Sequence, residues 1–171
     1  MNPMGADASA PFIARAIYGL VWVAGALSAL LILLAFGFTI IAVVWRYLLD
    51  QPLLWPEDVT GWTLVGLIML GVSEAYRRGD HIAIDLLAAQ LSGSASAMQA
   101  IWAHLAVMAF AAILGLSAWE AVTFARDFGA YTSGNVEIAA WIPQAPMIAG
   151  SVLLGLTALA KIIETLAGRT R

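Results

Sequence analysis

The sequence predicts an all-α integral membrane protein with four transmembrane helices, and three observations carry that expectation. Of 171 residues, 62% are hydrophobic and 11% are charged, with a mean hydropathy of +0.88; soluble domains carry roughly 25% charged residues. Long charge-free runs separate short polar clusters. Lysine and arginine also collect at alternate ends of those runs. The net charge of -3 comes without a basic block, which argues against nucleic-acid binding. The absence of cysteine excludes disulfides, thiol catalysis and thiolate metal sites.

The first predicted span covers residues 17–45, within a charge-free run between Arg15 and Arg46. A bilayer core about 30 Å thick needs roughly 20 helical residues, so this span is expected to tilt or protrude. It is too long for the apolar core of a cleavable signal peptide, about 7–15 residues, and is read as a retained helix. The short polar segment before it, Met1 to Pro11, reads as a tail.

The second span, residues 57–76, starts behind Pro56; proline suits the first helical position because its missing N–H has no partner there. The third covers residues 95–122 and the fourth residues 143–167, opened by Pro143. Between the second and third, residues 80–92 read as an amphipathic interfacial helix with Asp80 as N-cap and Gly93 as stop, placing His81 and Asp85 on one face. The connection from Arg126 to Ile142 reads as a loop with a short turn. Together these form a single membrane domain over residues 1–171.

Arg15, Arg77, Arg78, Lys161, Arg169 and Arg171 fall on one side of the spans, against Arg46 and Arg126 on the other. By the positive-inside bias, both termini are expected in the cytoplasm. Trp55 and Trp141 then fall at the opposite interface. Small residues four apart, Gly25 with Ala29, Gly71 with Ala75, Ala111 with Gly115 and Ser151 with Gly155, mark possible helix contacts.

Little in the spans suggests catalysis. Glu74 and Arg78 have the spacing of a surface ion pair. Glu120, towards the end of the third span, reads as reaching the headgroups. His104 reads as one half of an interhelical hydrogen bond. An alternative is a haem-binding membrane anchor of a redox complex, with His104 and His81 as axial ligands, although His81 falls beyond the end of the second span. A dimeric four-helix drug exporter would need a carboxylate in the first helix, where none occurs between Arg15 and Arg46. Glu57 and Asp58 suit the positive end of the second helix. As neighbours they diverge by about 100°, poorly placed for two-carboxylate chemistry. Arg77 and Arg78 suit phospholipid headgroups. No catalytic, cofactor or metal site is expected.

The stretch from Arg46 to Asp85 carries a more specific pattern: Arg46-Tyr47, then Trp55 before the acidic pair Glu57 and Asp58, then Trp62, Gly71 and Ala75, closing with His81-Ile82 and Asp85. In this pattern, in length and in the arrangement of spans, the chain resembles the small membrane subunit (the Q, or DctQ-type, subunit) of tripartite ATP-independent periplasmic (TRAP) transporters. The second acid is often glutamate in that family, whereas here it is Asp58, and Pro56 stands between the tryptophan and the acids.

The resemblance implies a non-catalytic scaffold subunit in the bacterial cytoplasmic membrane. Its partners would be a large multi-span membrane subunit, which carries the substrate and sodium sites, and a periplasmic solute-binding protein. The solute would be an organic acid or a similar compound. It further implies that Arg46, Tyr47, Trp55, Glu57, Asp58, Trp62, Gly71, Ala75, His81 and Asp85 form a surface for partner or scaffold contacts.

Overall fold

The computed structural model describes residues 12–79 and 94–167. They form four helices: α1 (Phe12–Leu48), α2 (Trp55–Arg78), α3 (Ser94–Asp127) and α4 (Trp141–Leu166). Each is long and apolar enough to cross a membrane, which makes the chain a multi-pass membrane protein. The predicted interfacial helix over residues 80–92, with His81 and Asp85, lies outside the described residues.

The helices run past most of the predicted limits. At about 1.5 Å per residue, the 37 residues of α1 extend about 55 Å, well beyond a bilayer core. Arg46 continues α1 because a single charge at a helix end can lie at the interface without breaking the hydrogen-bond ladder. Helix α2 starts at Trp55 with Pro56 in its first turn, carries Glu57 and Asp58 there, and ends on Arg77 and Arg78. Both ends therefore complement the helix dipole. Gly79 stops it at φ 78, a left-handed conformation that suits glycine, and its N–H bonds back to the Tyr76 carbonyl. Helix α4 begins two residues before Pro143 and also contains Pro146. Pro146 has no N–H to offer the Ile142 carbonyl, so one rung of the ladder is missing there.

Helix α4 is the centre of the bundle: α1, α2 and α3 all pack on it, and α1 and α2 also pack on each other. It accordingly holds more of the buried residues than any other helix, among them Ser151, Leu154, Thr157, Ala158 and Ala160. Thr157 is fully buried and satisfies its hydroxyl on the Leu153 carbonyl one turn back, at 2.7 Å.

Small residues set how closely the axes approach. Ser28 Oγ donates to the Leu67 carbonyl at 2.7 Å, and a Cβ on Gly71 would lie 2.7 Å from that oxygen. Across α3 and α4, a Cβ on Gly115 would lie 2.9 Å from Ser151 Oγ, while Gly155 faces Ala111. Gly71, Ala111, Gly115, Ser151 and Gly155 from the four-residue pairs thus lie at helix contacts, whereas Ala29 is exposed and Ser28 takes the position at that interface. The tightest crossing is at Gly150, whose Cα lies against the backbone carbonyl of Met69.

Candidate functional site

Polar side chains gather at the two ends of the bundle. One end, which we call the termini end, holds the start of α1 and the close of α4. The other, the hairpin end, holds the α1–α2 and α3–α4 connections.

At the termini end, Glu74 is buried at 7% exposure because its stem lies on Gly25 of α1, where a Cβ would come within 2.6 Å of its Cγ. A carboxylate so placed needs partners. Arg77 supplies two, Nε to Oε2 at 2.8 Å and Nη2 to Oε1 at 2.9 Å, and Arg78 Nε adds a third at 2.7 Å. The expected Glu74–Arg78 pair is therefore present, with its arginine at the surface and its carboxylate buried. Helix α2 places Glu74 on its α1-facing side, and the arginines reach back three and four residues to neutralise it.

The network extends into every helix. The Arg77 guanidinium lies 5.9 Å from the ring centre of Tyr18 in α1, and the Tyr18 hydroxyl donates to Glu164 of α4 at 2.8 Å. The Lys161 ammonium sits 4.7 Å over the ring of Tyr76. The Tyr76 hydroxyl is 2.6 Å from Nδ1 of His104 in α3. His104 thus takes part in an interhelical hydrogen bond, as its position in an apolar span suggested. Chemically the layer is a mutually neutralising clamp; among the described residues, no group of three or more His, Cys, Asp or Glu is placed to hold a metal.

At the hairpin end, the α3–α4 connection folds on itself. Tyr131 and Ala139 form an antiparallel bridge, flanked by Thr132 N–H to the Ile138 carbonyl and Ala140 N–H to the Ala130 carbonyl, each at 2.9 Å. Asp58 secures this loop to α2: its Oδ2 accepts the Val136 N–H at 2.9 Å, and its carboxylate packs on Gly134. Asn135 Nδ2 adds a long bond to the Leu54 carbonyl at 3.4 Å. Trp62, Asp58, Tyr131, Pro143 and Gln144 line an open cleft of about 440 Å³ beside this contact. Trp55 meets Phe38 of α1 edge-on at 5.9 Å, and the Arg126 guanidinium lies 5.5 Å from the Trp141 ring centre.

The residues of the Arg46–Asp85 pattern therefore separate into groups. Trp55, Glu57, Asp58 and Trp62 lie at or near the hairpin end, with Arg46 and Tyr47 exposed at the close of α1. Glu57 is exposed while Asp58 turns inward, so the adjacent acids face different surroundings. Among the described residues, Arg46 has no ion-pair partner. Gly71 lies at the α1 contact, and Ala75 is half-buried one turn further on. Arg77 is mostly covered by its contacts with Glu74 and Tyr18, whereas the Arg78 side chain is 57% exposed. Tyr18, Glu164 and Gly150 were not singled out from the sequence. Tyr18 and Glu164 stand 146 positions apart and no local spacing announces them.

No curated protein and no solved structure matches the chain. The family model described as the DctQ component of tripartite ATP-independent periplasmic transporters matches residues 35–168, from within α1 to just beyond α4. With most of the chain covered, including the acidic mouth of α2, the small-residue crossings and the hairpin, this protein belongs to the DctQ component family of the TRAP transporters.

Proposed function

We propose that this chain is the small, non-catalytic scaffold subunit of a sodium-coupled TRAP importer in the bacterial cytoplasmic membrane. It binds a large multi-span subunit that holds the sodium and solute sites, and it carries no cofactor of its own. The solute is an organic acid or a similar compound delivered by a periplasmic binding protein. The termini end faces the cytoplasm and the hairpin end faces the binding protein. Trp55, Glu57 and neighbouring residues of the α2 mouth, with His81 and Asp85, serve partner contacts, and Arg78 with Arg77 lies against phospholipid headgroups.

The family match over residues 35–168 is the observation that carries this reading. The distribution of polar groups supports it: the buried Glu74 is neutralised by Arg77 and Arg78 of its own helix at one end, and Asp58 secures a loop at the other. Large apolar side chains of α1 and α3 remain exposed, as suits a unit embedded in lipid beside another membrane chain.

Uptake measurements test it. Cells producing the large subunit and the binding protein take up the solute only when this chain is also present. Trp55→Ala or Glu57→Ala lowers uptake more than Gln90→Ala. Full uptake without this chain, or equal uptake by all three variants, contradicts the reading.

A further inference from the structure

Helix α3 buries Ala111, Ala118, Val122 and Ala125, and Gly115 meets Ser151 of α4 on the same side. At about 100° per residue, Glu120 points directly away from that side. It is exposed, and the residues sharing its outward arc are apolar: Trp102 is 69% exposed, Ile113 and Leu116 each 66%, and Phe124 61%. Between Trp102 and Phe124, Glu120 is the one charged residue on this arc.

Its depth follows from the packing register. Gly115 with Ser151 and Ala111 with Gly155 define an antiparallel alignment that, continued towards the hairpin end, sets Glu120 beside Pro146. The same alignment brings Arg126 to Trp141, in agreement with their observed contact. Glu120 therefore lies six residues, or about 9 Å, further in than Arg126. That is more than a glutamate side chain extends, so its carboxylate does not come level with Arg126.

A charge facing acyl chains is costly, and ionisable residues within spans ordinarily point into a bundle or a pair. Glu120 does neither among the described residues. Helix α1 makes the contrast: its exposed side chains, such as Leu20, Val23, Leu27 and Leu33, include no charge over residues 16–45, and that surface suits lipid. Ala106, Ala109 and Ser117 on the Glu120 arc leave room for another helix to approach. A second copy of this chain is a poor occupant, because the arc offers no cation and a two-fold pairing would bring Glu120 to Glu120.

We propose that the outward arc of α3 centred on Glu120 is the docking surface for the large membrane subunit, whose facing helix presents a lysine or arginine at the depth of Glu120. This rests on the reading of the chain as a TRAP small subunit. The unpaired carboxylate sets the position of the partner along the bundle, and the apolar residues around it supply the contact area.

The experiment uses the complete transporter in its membrane, with a benzophenone-bearing amino acid placed at Ile113, Leu116 or Leu33. On irradiation, positions 113 and 116 form an adduct with the large subunit, and position 33 forms at least about tenfold less. In parallel, Glu120→Lys lowers the large subunit recovered with this chain by roughly tenfold or more, since a like charge then faces the partner's cation; Glu120→Gln lowers it less. The crosslinking arm keeps Glu120 intact, so it stands even where Glu120→Lys misfolds. Adducts from position 33 but not from 113 or 116, adducts between two copies of this chain, or unchanged recovery of the large subunit with folded Glu120→Lys each overturn the proposal while leaving the subunit reading in place. Failure of the unmodified chain to co-purify with the large subunit overturns both.

Discussion

Glu74 and Arg77 form a two-point ion pair inside the bundle, with contacts of 2.8 and 2.9 Å, against the backbone of Gly25 on the neighbouring helix. Removing one member of a buried pair leaves the other uncompensated, which costs about 3 kcal/mol or more. Glu74→Ala is therefore expected to lower the melting temperature of the purified protein sharply. Arg78→Ala, which removes a largely exposed partner, costs under about 1 kcal/mol. Thermal unfolding of the two variants in one detergent checks the order; equal shifts would show that Arg78 shares the pair's burden equally.

The crossing of α2 and α4 rests on Gly150, which has no room for a side chain beside the Met69 carbonyl. Gly150→Val forces the helices apart and is expected to destabilise the fold by roughly 1–3 kcal/mol, as overpacking does. Gly19, around which a Cβ would meet nothing, provides the control: Gly19→Ala leaves the melting temperature within about 1 °C or raises it. A melting series across Gly150→Ala, Gly150→Val and Gly19→Ala measures this directly.

Asp58 controls the hairpin and Glu57 does not. Asp58→Ala removes the acceptor of the Val136 N–H, and hydrogen bonds to charged groups are worth about 1.5–3 kcal/mol. Amide exchange at Val136 is expected to rise about tenfold or more in Asp58→Ala. Glu57→Ala leaves it unchanged. Exchange mass spectrometry on the peptide containing Val136 separates the two acids.

The Tyr76–His104 bond joins α2 to α3. Tyr76→Phe keeps the ring beneath Lys161 but removes the hydroxyl, and is expected to cost about 1 kcal/mol. Once His104→Phe has already removed the acceptor, the same change costs markedly less. A double-substitution cycle measured by thermal unfolding gives that difference; additive effects would mean the contact contributes nothing to the fold.

These outcomes follow partly from features legible in the chain itself. Charge-free runs bounded by Arg15, Arg46, Arg77 and Arg126 marked the spans because apolar length is what a bilayer selects. The small residues of Gly71, Gly115 and Ser151 marked helix contacts because close approach requires them. What stayed hidden depends on which helix meets which. Gly150 carries no signal until α2 lies across it, and the burial of Glu74 depends on the glycine that α1 sets against it. Helix α3 is apolar on nearly all sides, so no periodicity distinguishes the side turned to α4 from the side that exposes Glu120. Asp58 looked like a partner contact or a complement to the helix dipole, and its bond to Val136, 78 positions away, emerged only from the folded hairpin.

The most direct test of the subunit assignment is the mass and composition of the complex purified from bacterial membranes through a tag on this chain. The account predicts a stable one-to-one complex with the large multi-span subunit. A stable assembly of this chain alone, with the large subunit present in the same membranes and never bound, would contradict it.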